Sequence, residues 1–304
     1  MITIFAPAKV NLYLHVGPVR EDGRHPLDSL VVFADQNASD RLTFEQEEQP
    51  IFLNIEGPGS EQTQLAADEN NLVLRAVRLL ERETGREFTG KLTLEKHLPI
   101  AAGIGGGSSD AAATLRLLNH AYGLGYEVHA LARLSVELGG DVPVCVSGIP
   151  SLMRGDGDRV ELCNPLPPDL PALLVTPDIA CGTPEVFKAF DQQFCPPKFE
   201  ESPPPRAPMK GDWLKELKAG YSNDLMPAAV SLHSEIGVLL DRLSVLQDVQ
   251  FHAMSGSGAT CFAVFETADQ VHEAARSLKS EFPDWFFAET VLGNAQFDLR
   301  GEHN

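Results

Sequence analysis

Long apolar runs are missing from this sequence: none approaches the roughly 20 residues a helix needs to cross a bilayer, so no membrane partner is expected. Basic residues are scarce as well. Against 43 Asp and Glu stand 24 Lys and Arg, a formal charge of -19, and a surface of that sign repels nucleic acid and anionic lipid. Any polyanion bound here must be met by local groups. The five cysteines, Cys145, Cys163, Cys181, Cys195 and Cys261, form no C-x-x-C pair, which removes the usual signatures of zinc, a redox dithiol or a disulfide framework. The N-terminal MITIFAPAKVNLYLHV lacks a charged start followed by an unbroken apolar stretch, because Lys9 and Asn11 interrupt it, so it does not read as a secretory signal. A reducing, cytoplasmic setting is the expectation left by elimination.

At 304 residues with 43% hydrophobic content, the chain can bury a large core, and its length suggests two lobes, with one compact domain as the alternative. The division is placed at 1–155 and 156–304. Alternation over Lys9–Val16 predicts a half-buried strand, with Lys9, Asn11, Tyr13 and His15 on its polar face. Asn70 or Asn71 can cap a helix carrying Val73, Val77 and Leu80 until Gly85 stops it. A strand follows around Leu92 and Leu94. Helices are expected from about Ser109 to Tyr122 and from Glu127 to Leu138, the second ended by Gly139 and Gly140 just before Asp141.

A proline-dense stretch at 196–208 reads as an exposed loop. Beyond it one long helix is expected to present Leu232, Ile236, Leu239 and Leu243. A strand ending near Met254, a turn at 255–258, a strand through Phe262 and Val264, a helix with Val271, Ala275 and Leu278, and a strand through Phe287 and Val291 complete the chain. Strands and helices alternate without strict strand-helix-strand order, which favours α+β over a doubly wound sheet.

The segment PIAAGIGGGSSDAAA runs from Pro99 to Ala113. Gly103, Gly105, Gly106 and Gly107 let bare backbone amides approach a ligand. A helix starts directly afterwards, so its free N–H groups and positive dipole end point to the same place, with Ser108 and Ser109 adding hydroxyls. This is an anion site without lysine. It matches neither G-x-x-x-x-G-K-[ST] nor the dinucleotide G-x-G-x-x-G, whose sixth position here is Ser108. A glycine-rich connection before a well-capped helix is the plainer reading of the segment alone.

Four segments together resemble the GHMP kinases: APAKVNLYLHV (6–16), the glycine loop, LGGDVPV (138–144) and MSGSGATCFAVF (254–265). Within that family, DGRHPL (22–27) resembles members acting on a cytidyl diphosphate substrate, and no G-E-H sequence of the mevalonate or galactose kinases follows the first strand. The resemblance implies an α+β, two-lobed fold: an N-terminal lobe like ribosomal protein S5 domain 2 and a ferredoxin-like C-terminal lobe. It also implies ATP with Mg2+ as co-substrate, a small-molecule cytidyl diphosphate acceptor, no nucleic-acid partner, and a monomer or weak homodimer. Arg24 stands where the family pattern has an aromatic residue, Gly140 where it has alanine, and Ile100, Ala101 and Ala102 replace a more glycine-rich approach.

Carried over residue by residue, the resemblance makes Asp141 the base for the acceptor hydroxyl, Lys9 its charged companion and Asn11 a positioning residue. Read singly, Asp141 is a turn residue before Pro143 and Lys9 an exposed charge on an edge strand. Pro99, the four loop glycines, Ser108 and Ser109 would hold ATP, with Ser109 also a candidate magnesium ligand. His25 would bond the cytosine edge, Arg24 would stack on the ring, and Phe187, with Thr183 nearby, would pack from the other side. The plainer readings are a solvated arginine and a core phenylalanine. RGDGDRVE (154–161) lacks the full ligand set of a calcium loop and predicts a hairpin. Two rival functions share parts of this pattern: a homoserine or mevalonate type of GHMP kinase, and a non-catalytic nucleic-acid module of the same fold, against which the acidic surplus counts.

Overall fold

The structure is a computed structural model that describes residues 1–58, 67–164, 166–193, 199–207, 209–295, 297 and 300–301. Cys195 and parts of the proline-dense stretch lie outside the described residues.

The first half of the chain supplies strands β1 (Ile2–Pro7), β2 (Lys9–Val16), β3 (Leu27–Phe33), β4 (Ser39–Pro50), β5 (Phe52–Glu56) and β6 (Thr89–Glu95). Its helices are α1 (Leu72–Thr84), α2 (Gly106–Ala121), α3 (Val128–Leu134) and α4 (Val142–Ser147). The second half adds β7 (Ser151–Gly155), β8 (Arg159–Leu162), β9 (Leu170–Thr176), β10 (Phe251–Met254), β11 (Cys261–Val264), β12 (Phe286–Leu292) and β13 (Arg300–Gly301). With these come α5 (Thr183–Gln193), α6 (Lys210–Gly220), α7 (Met226–Leu232), α8 (Ser234–Ser244) and α9 (Ala268–Glu281).

Among the described residues three sheets result, ordered β13-β1-β4-β6-β5, β2-β3-β7-β8 and β10-β11-β9-β12. The arrangement is α+β, as the irregular alternation of elements predicts. The five-stranded sheet buries Ile4, Leu42, Leu92 and Leu94 against Val77 and Leu80 of α1 and Leu115 and Leu118 of α2. The last sheet buries Val175, Cys261 and Ala263 against Ile236 and Leu239 of α8 and Val271 and Leu278 of α9. Between them, Val10, Leu12, Leu30 and Val32 share a core with Ala172 and Leu174 of β9, and with Phe262 and Trp213. That middle core fastens β2 and β3 to the C-terminal sheet, with burial of apolar surface the main stabilising term.

Local signals explain most elements. Asn71 caps α1 by accepting the N–H of Val73 at 3.0 Å, and Gly85 ends it at φ 65°. The hairpin expected at 154–161 forms as β7 and β8. Other expectations shift. β2 is buried on both faces: Lys9, Asn11 and Tyr13 are only 3%, 1% and 1% exposed. Its free edge is covered by chain instead of water, with Lys9 N–H donating to Ile104 O, Leu14 N–H to Ser222 O and Asp224 N–H to Leu14 O. The second predicted helix changes after α3 into a 3-10 turn, Ser135–Leu138. The long C-terminal helix is two helices, because His233 is extended between α7 and α8, and Leu232 is 45% exposed. Asp141 does not merely sit in a turn; it precedes α4, which has Pro143 in its first turn, a position proline tolerates well.

Candidate active site

A cleft of about 620 Å³ runs between the glycine loop, the inner end of β2 and the start of α5. The loop enters it under close packing. Gly103 has φ 73°, and a Cβ there would lie 2.5 Å from Ser255 O and 2.7 Å from Gly258 O. Only glycine fits that approach of two backbones. Ser255 Oγ–H donates to Gly103 O at 3.0 Å and Thr260 N–H to Ala102 O at 3.0 Å, so the 255–258 turn and the loop brace each other. Asn223 holds the turn from behind, its Nδ2 donating to Met254 O and Gly256 O at 2.8 Å each.

Gly105 has φ 62° and is the N-cap of α2. The helix therefore starts three residues earlier than expected, and Gly106, Gly107 and Ser108 are its first turn. Their N–H groups precede the first helical bond, Ser109 N–H to Gly105 O at 2.8 Å, and are the donors a helix start presents to an anion. Gly106, Gly107 and Ser108 line the cleft, together with Pro99 and Gly103. Ser109 does not join them. It is 2% exposed, and its hydroxyl donates to Pro7 O at 2.6 Å, locking α2 to β1. A magnesium-ligand role for that hydroxyl is lost because the group is committed inside the fold.

At the far side of the loop, Lys9 Nζ donates to Asn11 Oδ1 at 2.8 Å and lies 3.1 Å from Asp141 Oδ2. Lys9 is buried while the Asp141 side chain is 36% exposed, so the carboxylate meets the cleft with its cation behind it. Asn11 is fixed in turn: its Nδ2 donates to Ser29 Oγ at 2.7 Å and its N–H to Ser255 Oγ at 3.1 Å. Lys9 and Asn11 thus line a cleft and do not face water, whereas a register shift between Asn11 and Tyr13 breaks the alternation and leaves Tyr13 in the middle core and Leu14 in the cleft.

Leu27, Thr183 and Phe187 belong both to this cleft and to an adjoining hollow of about 510 Å³ that contains Arg24 and His25. His25 is 8% exposed, with Nδ1 2.9 Å from Gly17 O and Nε2 3.3 Å from Asp191 Oδ1. Its ring lies 5.1 Å from that of Phe187. Thr183 Oγ1 is 2.8 Å from Ser257 Oγ, tying α5 to the 255–258 turn. Arg24 reaches the hollow's rim, where its side chain is 68% exposed and Nη1 is 3.2 Å from Asp156 Oδ2.

A buried charge cluster lies under the other end of the loop and was not foreseen in the sequence. Lys96 Nζ bonds Asp40 Oδ2 and Asp110 Oδ2, and all three residues are almost fully buried. Asp40 also accepts the N–H groups of His97 and Leu98, at 2.6 and 2.8 Å. Asp110 has less support: its Oδ1 is buried with no hydrogen-bond partner among the described residues. Burial pushes the Asp110 carboxyl up to about 8, since one ammonium cannot neutralise two enclosed carboxylates. Lys96 and Asp110 both line the cleft. The available signal was an Asp directly before an Ala-Ala-Ala run on a helix, a charge placed where only core residues belong.

The architecture and this site define a kinase for small alcohols: a lysine-free anion loop opening onto a lysine-aspartate pair. Residues 71–149 match the GHMP kinases N terminal domain and residues 210–284 the GHMP kinases C terminal domain. The chain is 44% identical over 279 residues to a 4-diphosphocytidyl-2-C-methyl-D-erythritol kinase of Granulibacter bethesdensis, covering 91% of this chain and 89% of that protein. To the protein of the same name from Hyphomonas neptunium it is 44% identical, covering 96% of both. A crystal structure of a 4-(cytidine 5'-diphospho)-2C-methyl-D-erythritol kinase superposes with a TM-score of 0.75 at 31% identity, covering 96% of this chain and 99% of that one. Homoserine kinase from Cytophaga hutchinsonii shares the fold, with a TM-score of 0.74 at 18% identity over 98% of this chain and 97% of that one. The chain belongs to the GHMP kinases, and is an ATP-dependent small-molecule kinase.

Proposed function

We propose that this chain transfers the terminal phosphoryl group of ATP to the 2-hydroxyl of 4-diphosphocytidyl-2-C-methyl-D-erythritol, giving the 2-phosphate and ADP, a reaction of the non-mevalonate isoprenoid precursor pathway. The observation that carries the reading is the Lys9–Asp141 pair, 3.1 Å apart, lining the cleft that holds the anion loop and adjoins the hollow containing His25 and Phe187. The adjoining volumes order the two substrates. Phosphates sit on the loop and the first turn of α2, and the cytidyl end of the acceptor lies in the hollow lined by Arg24, His25 and Phe187, the His25 and Phe187 rings at 5.1 Å being too close to take a base between them.

Asp141 accepts the hydroxyl proton as the acceptor oxygen bonds to the γ-phosphorus, and the bond from that phosphorus to the bridging oxygen breaks, its electron pair leaving with ADP. Lys9 keeps Asp141 oriented and offsets negative charge gathering on the transferred group. Asn11 prevents Lys9 from turning away. Positioning supplies much of the rate, because both reactants are held by groups that are themselves braced. Among the described residues no cluster of three acidic, His or Cys side chains could cage a metal. Magnesium arriving on the nucleotide keeps water and phosphate oxygens as ligands. Ser108, which lines the cleft in the first turn of α2, would help hold it, and its chemistry is neutralisation of phosphate charge.

The test is product analysis. Phosphorus and carbon magnetic resonance of a completed reaction should show one new phosphate on the 2-oxygen of the methylerythritol unit. A phosphate on any other oxygen would overturn the assignment.

A further inference from the structure

The hairpin turn between β7 and β8 touches two parts of the machinery at once. Gly140, next to Asp141, packs backbone to backbone on this turn: a Cβ on Gly140 would lie 2.6 Å from Asp156 O, and one on Gly157 would lie 2.8 Å from Gly140 O. The same Asp156 faces the arm at 20–24 with its side chain. Its Oδ1 pairs with Arg20, and its Oδ2 is 3.2 Å from Arg24 Nη1. Burial pushes the Asp156 carboxyl up, but the bonds from Arg24 and Arg20 outweigh it and hold the group below the usual carboxylate range. The turn is stiff in itself, since Asp156 N–H donates to Asp158 Oδ1 at 2.9 Å and Gly157 N–H to Arg154 O at 3.1 Å.

We propose that the 155–158 turn is a positioning element for Asp141, and that Asp156 couples the placement of that carboxylate to the arm carrying Arg24 and His25. The inference rests on the reading of Asp141 as the base. A single exposed ion pair would hold such a turn weakly. Here two arginines of one arm meet one carboxylate, and the backbone on the other side of that residue leaves no room for the Gly140 segment to move outward. The arm forms part of the hollow proposed for the cytidyl group. Filling that hollow therefore stiffens the arm, the turn and, through Gly140, the residue that takes the proton.

The experiment compares Gly157→Ala, Asp156→Ala and the double variant with Asp141→Asn, measuring kcat and both KM values, with melting temperature as a folding check. Gly157→Ala pushes a methyl group against the Gly140 carbonyl, and kcat is expected to fall roughly 10- to 100-fold, the scale of small misplacements at a reacting centre, with the ATP KM unchanged. Asp156→Ala frees the turn from the arm, so kcat falls several-fold and the acceptor KM rises, again with ATP unaffected. In the double variant the freed turn yields to the methyl group, and the loss is smaller than the product of the two single losses. Parental kcat in Asp156→Ala, or losses that simply multiply, overturns the coupling even if Gly157→Ala does not fold. Should Asp141→Asn itself turn over like the parent, the base assignment fails, and that outcome is separate from the behaviour of the turn.

Discussion

Lys9 Nζ bridges Asn11 on its own strand and Asp141 at the start of α4, joining two segments far apart in the chain at one edge of the cleft. The bridge places a cation behind a carboxylate that faces the substrate. Replacing Asp141 by Asn keeps size and hydrogen bonding but removes the proton acceptor. Turnover of Asp141→Asn is expected to fall roughly 10² to 10⁴-fold, the usual worth of a positioned acid-base group. Calorimetry should find ATP affinity within a factor of about two of the parent. Near-parental turnover would remove Asp141 from the chemistry.

Gly103 offers a test of the loop. Its positive φ and its contacts with Ser255 O and Gly258 O leave no room for a methyl group. Gly103→Ala should lower stability by about 1 to 3 kcal/mol, the cost of strain at such a position, and should weaken ATP binding because the amides of α2 lose their frame. An alanine variant with parental melting temperature and ATP affinity would mean that the loop and the 255–258 turn are not braced as described.

Phe187 reports on the acceptor end. It is half-buried beside His25, at the junction of the two volumes. Phe187→Ala is expected to weaken the cytidyl substrate by about 1 to 3 kcal/mol, the range for losing a base-stacking side chain, with ATP unaffected. Equal loss for both ligands would instead indicate general damage to α5.

Much of this was legible in the sequence where the signal is local. Alternation marked β2, Asn71 and Gly85 marked the ends of α1, and four spaced motifs pointed to the cleft. What failed was non-local. Alternation puts Tyr13 and His15 on one face with Lys9 and Asn11, and period-two patterning cannot show the register shift after Asn11 that separates them. Ser109 reads as a ligand because it adjoins the loop, yet helical rotation turns its hydroxyl toward Pro7. The apolar spacing through Leu232 and Ile236 suits one helix, yet His233 is extended and divides it, a break that spacing alone does not show. Lys96, Asp40 and Asp110 lie on separate elements, and only the fold brings them together.

That cluster gives a pH prediction. Asp110 is raised in the folded state from the ordinary value of 3.8 to about 8, chiefly by burial. The folded protein therefore holds a proton that the unfolded chain has released once the pH exceeds about 4. Stability contributed by this group is complete below the unfolded pKa and is lost as pH rises toward 8, by at most about 1.4 kcal/mol per pH unit, the value for one proton. Asp110→Asn removes this dependence. Melting curves from about pH 5 to about pH 8.5 should show the variant gaining on the parent as pH rises, and parallel curves would contradict the assignment.

The most direct measurement is ADP release when the purified protein with ATP and magnesium is offered 4-diphosphocytidyl-2-C-methyl-D-erythritol, mevalonate, homoserine and galactose in separate reactions. The account predicts rapid turnover with the first, abolished or greatly reduced by Asp141→Asn, and at most background release with the other three. Turnover with mevalonate or homoserine exceeding that with the cytidyl substrate would contradict it.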